Sequence, residues 1–421
     1  MSTSDFADDI VPSELPKHTS PPRDDFQPWH KVRKQLIRQR QWNEMIFNLA
    51  KRYRQDAQQA EPLDWGANDL GEDAILGTPE GVHINRLFRC LVIPGDDLLD
   101  VRSMWARMQP LGCFIRYLGF NERYGSDQRG TRVHVANNAV TSLTRVARDS
   151  VVIADRFQSL ASQQSQAYRY LKEYGPFDVV NLDICDTLFP TRSGDPSKYY
   201  AALHRLAIYQ MKYQTTPWLL FVTTQVEPQE VNLDGTASLW RPLRRNWNDH
   251  PAFQEKLRLL VPSGVFDPKN TGIDISGLKE EHFVPIFGIA LGKWLASLGS
   301  TANPVWSMRL MTSYRYEIVP QRRAEMLSLA FQFQPRHTPP IDRDALSTIQ
   351  MEVPKVPSEL ECALQIIGQV QKLLDADEVL RNDSALRMQM LNESADLLEL
   401  AGFDRDKYLE WVKNDEEPSA G

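Results

Sequence analysis

Acidic residues recur along the middle of this chain, each just after a short apolar run. Asp96 and Asp97 follow RLFRCLVIPG. Glu122 follows CFIRYLGF, Asp155 closes SVVIAD, and Asp183 and Asp186 close FDVVNLDICD. Carboxylates accept hydrogen bonds strongly and suit a ligand rich in hydroxyl and amino donors. A carboxylate adjoining a buried run costs desolvation unless it is paired or used. Asp183 and Asp186 are therefore the strongest candidates for a reaction pocket. Asp96, Asp97 and Asp155 have a plainer alternative role, as caps of the helices that follow them. Cys185 reads as a small core residue, and SYRYE (313–317) as a structural strand. The chain has no GxxxxGK[ST], no HExxH and no CxxC among its four Cys. A phosphate loop and a zinc site are not expected. Asp183, Asp186 and Glu122 lack the ExK or DxD partners of a two-metal centre, so no metal is assigned.

The elements that position these carboxylates alternate. Apolar, β-branched runs begin at Leu87 and alternate with helical spacing in LLDVRSMWARMQ, VTSLTRVARD, SQQSQAYRYLKEYG and PSKYYAALHRLAIYQMKY, up to the strand PWLLFVTTQV. Such alternation implies an α/β fold, a doubly wound and mostly parallel sheet joined by right-handed crossovers. Residues 227–280 read as irregular, a possible insertion. Phe283–Leu298 reads as a helix stopped by Gly299. WSMRLMTSYRYEI and AEMLSLAFQFQ are close enough to pair as a terminal antiparallel hairpin.

The flanks differ in character. Residues 1–25 read as a disordered lead-in, and 26–85 as a basic helix and loop in which Arg33, Lys34, Arg38 and Arg40 are candidates for nucleic-acid binding. The alternative is a solvated face packed by its apolar stripe. Residues 86–335 form the α/β domain, 336–357 a Pro-rich linker, 358–413 a helical module suited to a protein partner, and 414–421 an acidic tail. The formal net charge of −7 excludes a uniformly basic nucleic-acid coat. No apolar run approaches the ~20 residues of a membrane span, and the acidic start lacks a secretory core. A cytoplasmic protein without membrane contact is expected.

From Leu87 to Pro335 the order of elements resembles the class I S-adenosylmethionine-dependent methyltransferases. GPFDVVNLDICDTL is similar to their fourth-strand segment, as found in tRNA dimethyltransferase-like enzymes and bacterial three-Cys-motif partner proteins. The resemblance implies S-adenosylmethionine as cofactor. It implies Gly95 and Asp96 in the first cofactor loop, Glu122 on the ribose, Asp155 at the adenine edge, and Asp183 with Asp186 lining the transfer site. The chain departs from the family in two places. Its first loop has one glycine, Gly95, where GxGxG is usual, and LDICD replaces the DPPY or NPPF tetrapeptide of base methylation. Two functions follow as expectations. One is methyl transfer to nucleic acid or protein. The other is a catalytically inactive subunit of a bacterial complex in phage defence or DNA processing.

Overall fold

The computed structural model describes residues 21–59, 87–122, 128–184, 186–189, 197–228, 231, 233–261, 278–317, 325–336 and 357–416. The chain enters through α1 (Val32–Ile37), a π-helical turn (Arg38–Asn43) and α2 (Glu44–Gln59), which run as one continuous rod. The alternating region follows as β1 (Leu87–Val92), α3 (Leu99–Met108), β2 (Phe114–Phe120), α4 (Gln128–Thr141) and β3 (Val151–Ile153). It continues through α5 (Gln166–Tyr174), β4 (Val179–Asp183), α6 (Ser197–Tyr213) and β5 (Trp218–Gln225). Local chemistry sets the boundaries. Ser165 caps α5 by accepting from the Tyr168 amide, and Gly175 follows its last turn.

Five strands pair in parallel in the order β3-β2-β1-β4-β5. Beyond β5 the chain forms α7 (Leu233–Asp249), α8 (Pro251–Arg258), α9 (Glu280–Thr301), β6 (Val305–Leu310), β7 (Tyr314–Glu317) and β8 (Glu325–Arg336). The long β8 runs antiparallel to β5, β6 and β7. Last come α10 (Glu359–Val370), β9 (Leu374–Asp375), α11 (Ala376–Asn382), α12 (Ser384–Leu400) and α13 (Arg405–Glu416), with β9 parallel to β7. The described chain is thus an α/β protein with a mixed, mostly parallel nine-stranded sheet.

The strands are apolar on both faces because both faces are covered. In β1, Phe88, Cys90 and Val92 join a cluster with α1, α3, α4 and α11–α13, whereas Leu91 joins one with α5–α10. Residues 358–413 are therefore shared between the two faces: α10 covers one, and α11–α13 cover the other.

Two segments differ from expectation. The helix expected over VTSLTRVARD is not formed. Helix α4 starts earlier and ends at Thr141, and Val146 bridges Ile115 while the Ile115 amide donates to the Arg145 carbonyl. The β-branched residues there favour that extended contact. Conversely, part of the stretch expected to be irregular folds as α7 and α8, with Trp240, Leu243 and Trp247 buried at helical spacing despite Pro242. Helix α9 is long and apolar enough to cross a bilayer, but 78% of its apolar window is buried inside the protein. Its fully buried Lys293 pairs with Glu359 of α10.

Candidate functional site

Strand order reverses between β1 and β4, and in open α/β sheets ligands bind at such a reversal, beyond the carboxyl ends of the strands. The parallel β3, β2, β1 and β4 bring the ends carrying Asp155, Glu122, Asp96 and Asp183 to one rim. Two carboxylates flank the reversal itself: Asp183 at the end of β4, and Asp100 in the first turn of α3, after β1.

Both are engaged by the N-terminal rod. Lys34 Nζ lies 2.5 Å from Asp183 Oδ1 and 3.3 Å from the Tyr316 hydroxyl, and 4.7 Å from the centre of the Trp42 ring. One turn later, Arg38 Nε donates to Asp100 Oδ1 at 2.8 Å. Residues four apart share one helix face, so a single face spans the reversal. The Lys34 side chain is 4% exposed and that of Asp183 16%. Burial opposes the Lys34 charge, but Asp183, Tyr316 and Asp100 together outweigh it and hold the ammonium above its ordinary range. Burial pushes the Asp183 carboxyl up, against the pull of Lys34.

Further polar contacts fasten the rod. The Gln41 amide donates to the carbonyls of Thr312 and Ser328 and accepts from the Ser328 hydroxyl. Asn43 Nδ2 donates to the Ser103 hydroxyl at 2.7 Å. On the opposite side, the Tyr408 hydroxyl of α13 donates to the His30 carbonyl, and α12 packs along α1. Residues 34–38 are consequently buried all round.

The other acidic ends also have partners within the chain. Arg23 reaches Asp97 at 2.5 Å, and Arg102 Nε donates to the Asp97 carbonyl. Glu122 pairs with Arg156 on the surface. Asp155 accepts from the Arg156 amide and the Ser159 hydroxyl, and the cap of the short helix that follows is Arg156, not Asp155. Asp186 is exposed and accepts from the Thr187 amide, and Cys185 lies outside the described residues. In the first loop, a Cβ added at Gly95 meets nothing within 4 Å, so no tight cradle requires that glycine. The left-handed position is held instead by Leu98, at φ 50° and fully buried. Asp97, Glu122 and Asp155 thus have partners within the chain, and Lys34 and Arg38 fill the reversal itself, while the space beside Gly95 is open. These residues do not fit the cofactor in this conformation.

The four basic candidates do not form one solvent-facing strip. Lys34 and Arg38 are buried in ion pairs, Arg33 pairs with Asp377 at 3.0 Å and donates to the Glu317 carbonyl, and Arg40 is exposed. Sequence reasoning missed Asp100 and the inward basic residues. The one available signal was Leu36 and Ile37 set among Lys34, Gln35 and Arg38, with no clean polar face.

A family model described as PP_RS20740-like matches residues 23–413, and the chain belongs to that family. No curated protein and no solved structure matches the chain.

Proposed function

We propose that this member of the PP_RS20740-like family is a methyltransferase-fold protein that works as a non-catalytic subunit of a larger assembly, its cofactor crevice filled by its own N-terminal helix. The observation that carries this reading is the seating of Lys34 on Asp183 and Arg38 on Asp100, across the reversal of strand order. The methyl donor is a sulfonium cation. A buried ammonium beside the same carboxylate opposes a second cation there. The strand order, with α3 and α4 on one face and α5 and α6 on the other, supports the doubly wound part of the reading. Four acidic strand ends on one rim favour a second reading, a methyltransferase that works only when the helix leaves.

Thermal denaturation of the full chain with millimolar S-adenosylmethionine or S-adenosylhomocysteine separates the two. A ligand at 100 times its Kd adds about 2.7 kcal/mol of stability. The expected result is no shift with either compound. A saturable rise in Tm would overturn the non-catalytic reading.

A further inference from the structure

Helix α2 continues the rod, but its burial is one-sided. Ile46, Leu49, Ala50 and Tyr53 enter the core, whereas Lys51, Arg52 and Arg54 are exposed. Phe47, Lys51 and Arg54, at helical spacing, share one side of α2. The Arg107 guanidinium, at the end of α3, lies 4.3 Å from the centre of the Phe47 ring. The segment after α4 closes on the same end of α3. Trp105 Nε1 donates to the Thr144 carbonyl at 2.7 Å, and Arg145 Nη1 donates to the Gln109 carbonyl at 3.0 Å. Arg148 follows in that segment and is exposed. Lys51, Arg54, Arg107, Arg145 and Arg148 thus share one face, and Arg52 borders it. Among the described residues, none of the six has a carboxylate partner. Asp149, next to Arg148, pairs with Arg116, and Glu44 lies about two turns before Lys51. On a chain of net charge −7, this face carries a local positive field.

We propose that this face binds the sugar-phosphate backbone of duplex DNA without reading its sequence. Cationic side chains that meet phosphates release condensed counterions, and this release supplies most of non-specific affinity. The rings in the face are already engaged, Phe47 beneath Arg107 and the Trp105 indole on a carbonyl. The face therefore offers no open platform for the bases of a single strand. The apolar side of α2 is in the core, so the helix has none to sink into an anionic bilayer. Helix α3 leads into β2 and the segment after α4 leads into β3, so the face stands by the starts of the strands. The acidic crevice lies at their other ends, and the inference holds whether or not that crevice is closed.

Fluorescence anisotropy of a labelled mixed-sequence duplex, titrated with the full chain at about 50 to 200 mM salt, tests the face. The arms are the wild type, Lys51→Gln/Arg54→Gln/Arg148→Gln, and a matched loss of charge across the sheet, Arg169→Gln/Lys212→Gln/Arg241→Gln on α5, α6 and α7. All six positions are exposed. Saturable binding is expected in the wild type, with log affinity falling linearly against log salt and no preference between unrelated sequences. The first variant should bind at least tenfold more weakly, with a salt slope shallower by about 2–3. The second variant should match the wild type. The proposal is overturned by no saturable binding at about 50 mM salt, by equal affinities of the two variants, or by a preference for the single strand. Binding to phosphatidylserine vesicles but not to the duplex also overturns it. So does duplex binding that arises only after Asp69→Asn/Glu72→Gln/Asp73→Asn, which would make residues 60–86 the occupant of the face.

Discussion

Lys34 is the residue on which the arrangement at the strand ends turns. Its ammonium is taken out of water and faces Asp183, Tyr316 and the Trp42 ring. A buried pair of this kind adds little net stability over an apolar pair of the same shape, but losing one partner strands the other charge. Lys34→Met is therefore expected to destabilise the chain by about 3–5 kcal/mol in urea unfolding. Lys34→Met with Asp183→Leu should recover most of that loss, since no charge is left unpaired. A single variant within about 0.5 kcal/mol of wild type, the ordinary scatter of surface substitutions, would show that the pair is not buried in solution. Neither partner was legible locally. Lys34 and Asp183 lie 149 positions apart, and Arg38 and Asp100 lie 62 apart. A basic run in sequence looks like a surface until the fold supplies its carboxylates.

Between elements, the junction of α1 with α12 and α13 is sensitive to acid. His30 is 1% exposed, packed edge-on against Phe403, and its Nδ1 accepts from the Gln27 amide. Burial, then Arg38 and Arg23, hold its pKa down at about 3, despite an opposing contribution from Asp25. The folded state keeps His30 neutral, while the unfolded chain takes up a proton below pH 6.5. Stability tied to this group is complete above pH 6.5 and is lost as the pH falls toward 3. Between pH 6.5 and 5 the loss amounts to about 1.5–2 kcal/mol. Denaturation of the wild type and of His30→Leu across that interval should show the steeper fall in the wild type. Equal slopes would mean that His30 is protonated in the fold. The strands themselves were legible from sequence, because β1, β2, β4 and β5 are buried on both sides and need apolar residues throughout. The segment after α4 was not, since Ile115 recruits Val146 through a contact that no local spacing announces.

At the scale of the whole molecule, the first and last described segments meet over one face of the sheet. Arg23 pairs its backbone with Gly402 and Asp404, Tyr408 donates to the His30 carbonyl, and Arg102 of α3 reaches the Leu400 carbonyl. The N-terminal rod lies between that layer and the strand ends, so it is an interior element and not an appendage. Its backbone amides should then exchange with solvent only when the core opens. Amide hydrogen exchange over residues 32–43, compared with β4 and β5 in the same experiment, tests this most directly. Protection of 32–43 equal to that of the two central strands is the expected result. Exchange at the rate of a frayed terminus, with β4 and β5 still protected, would contradict it and open the crevice to a ligand.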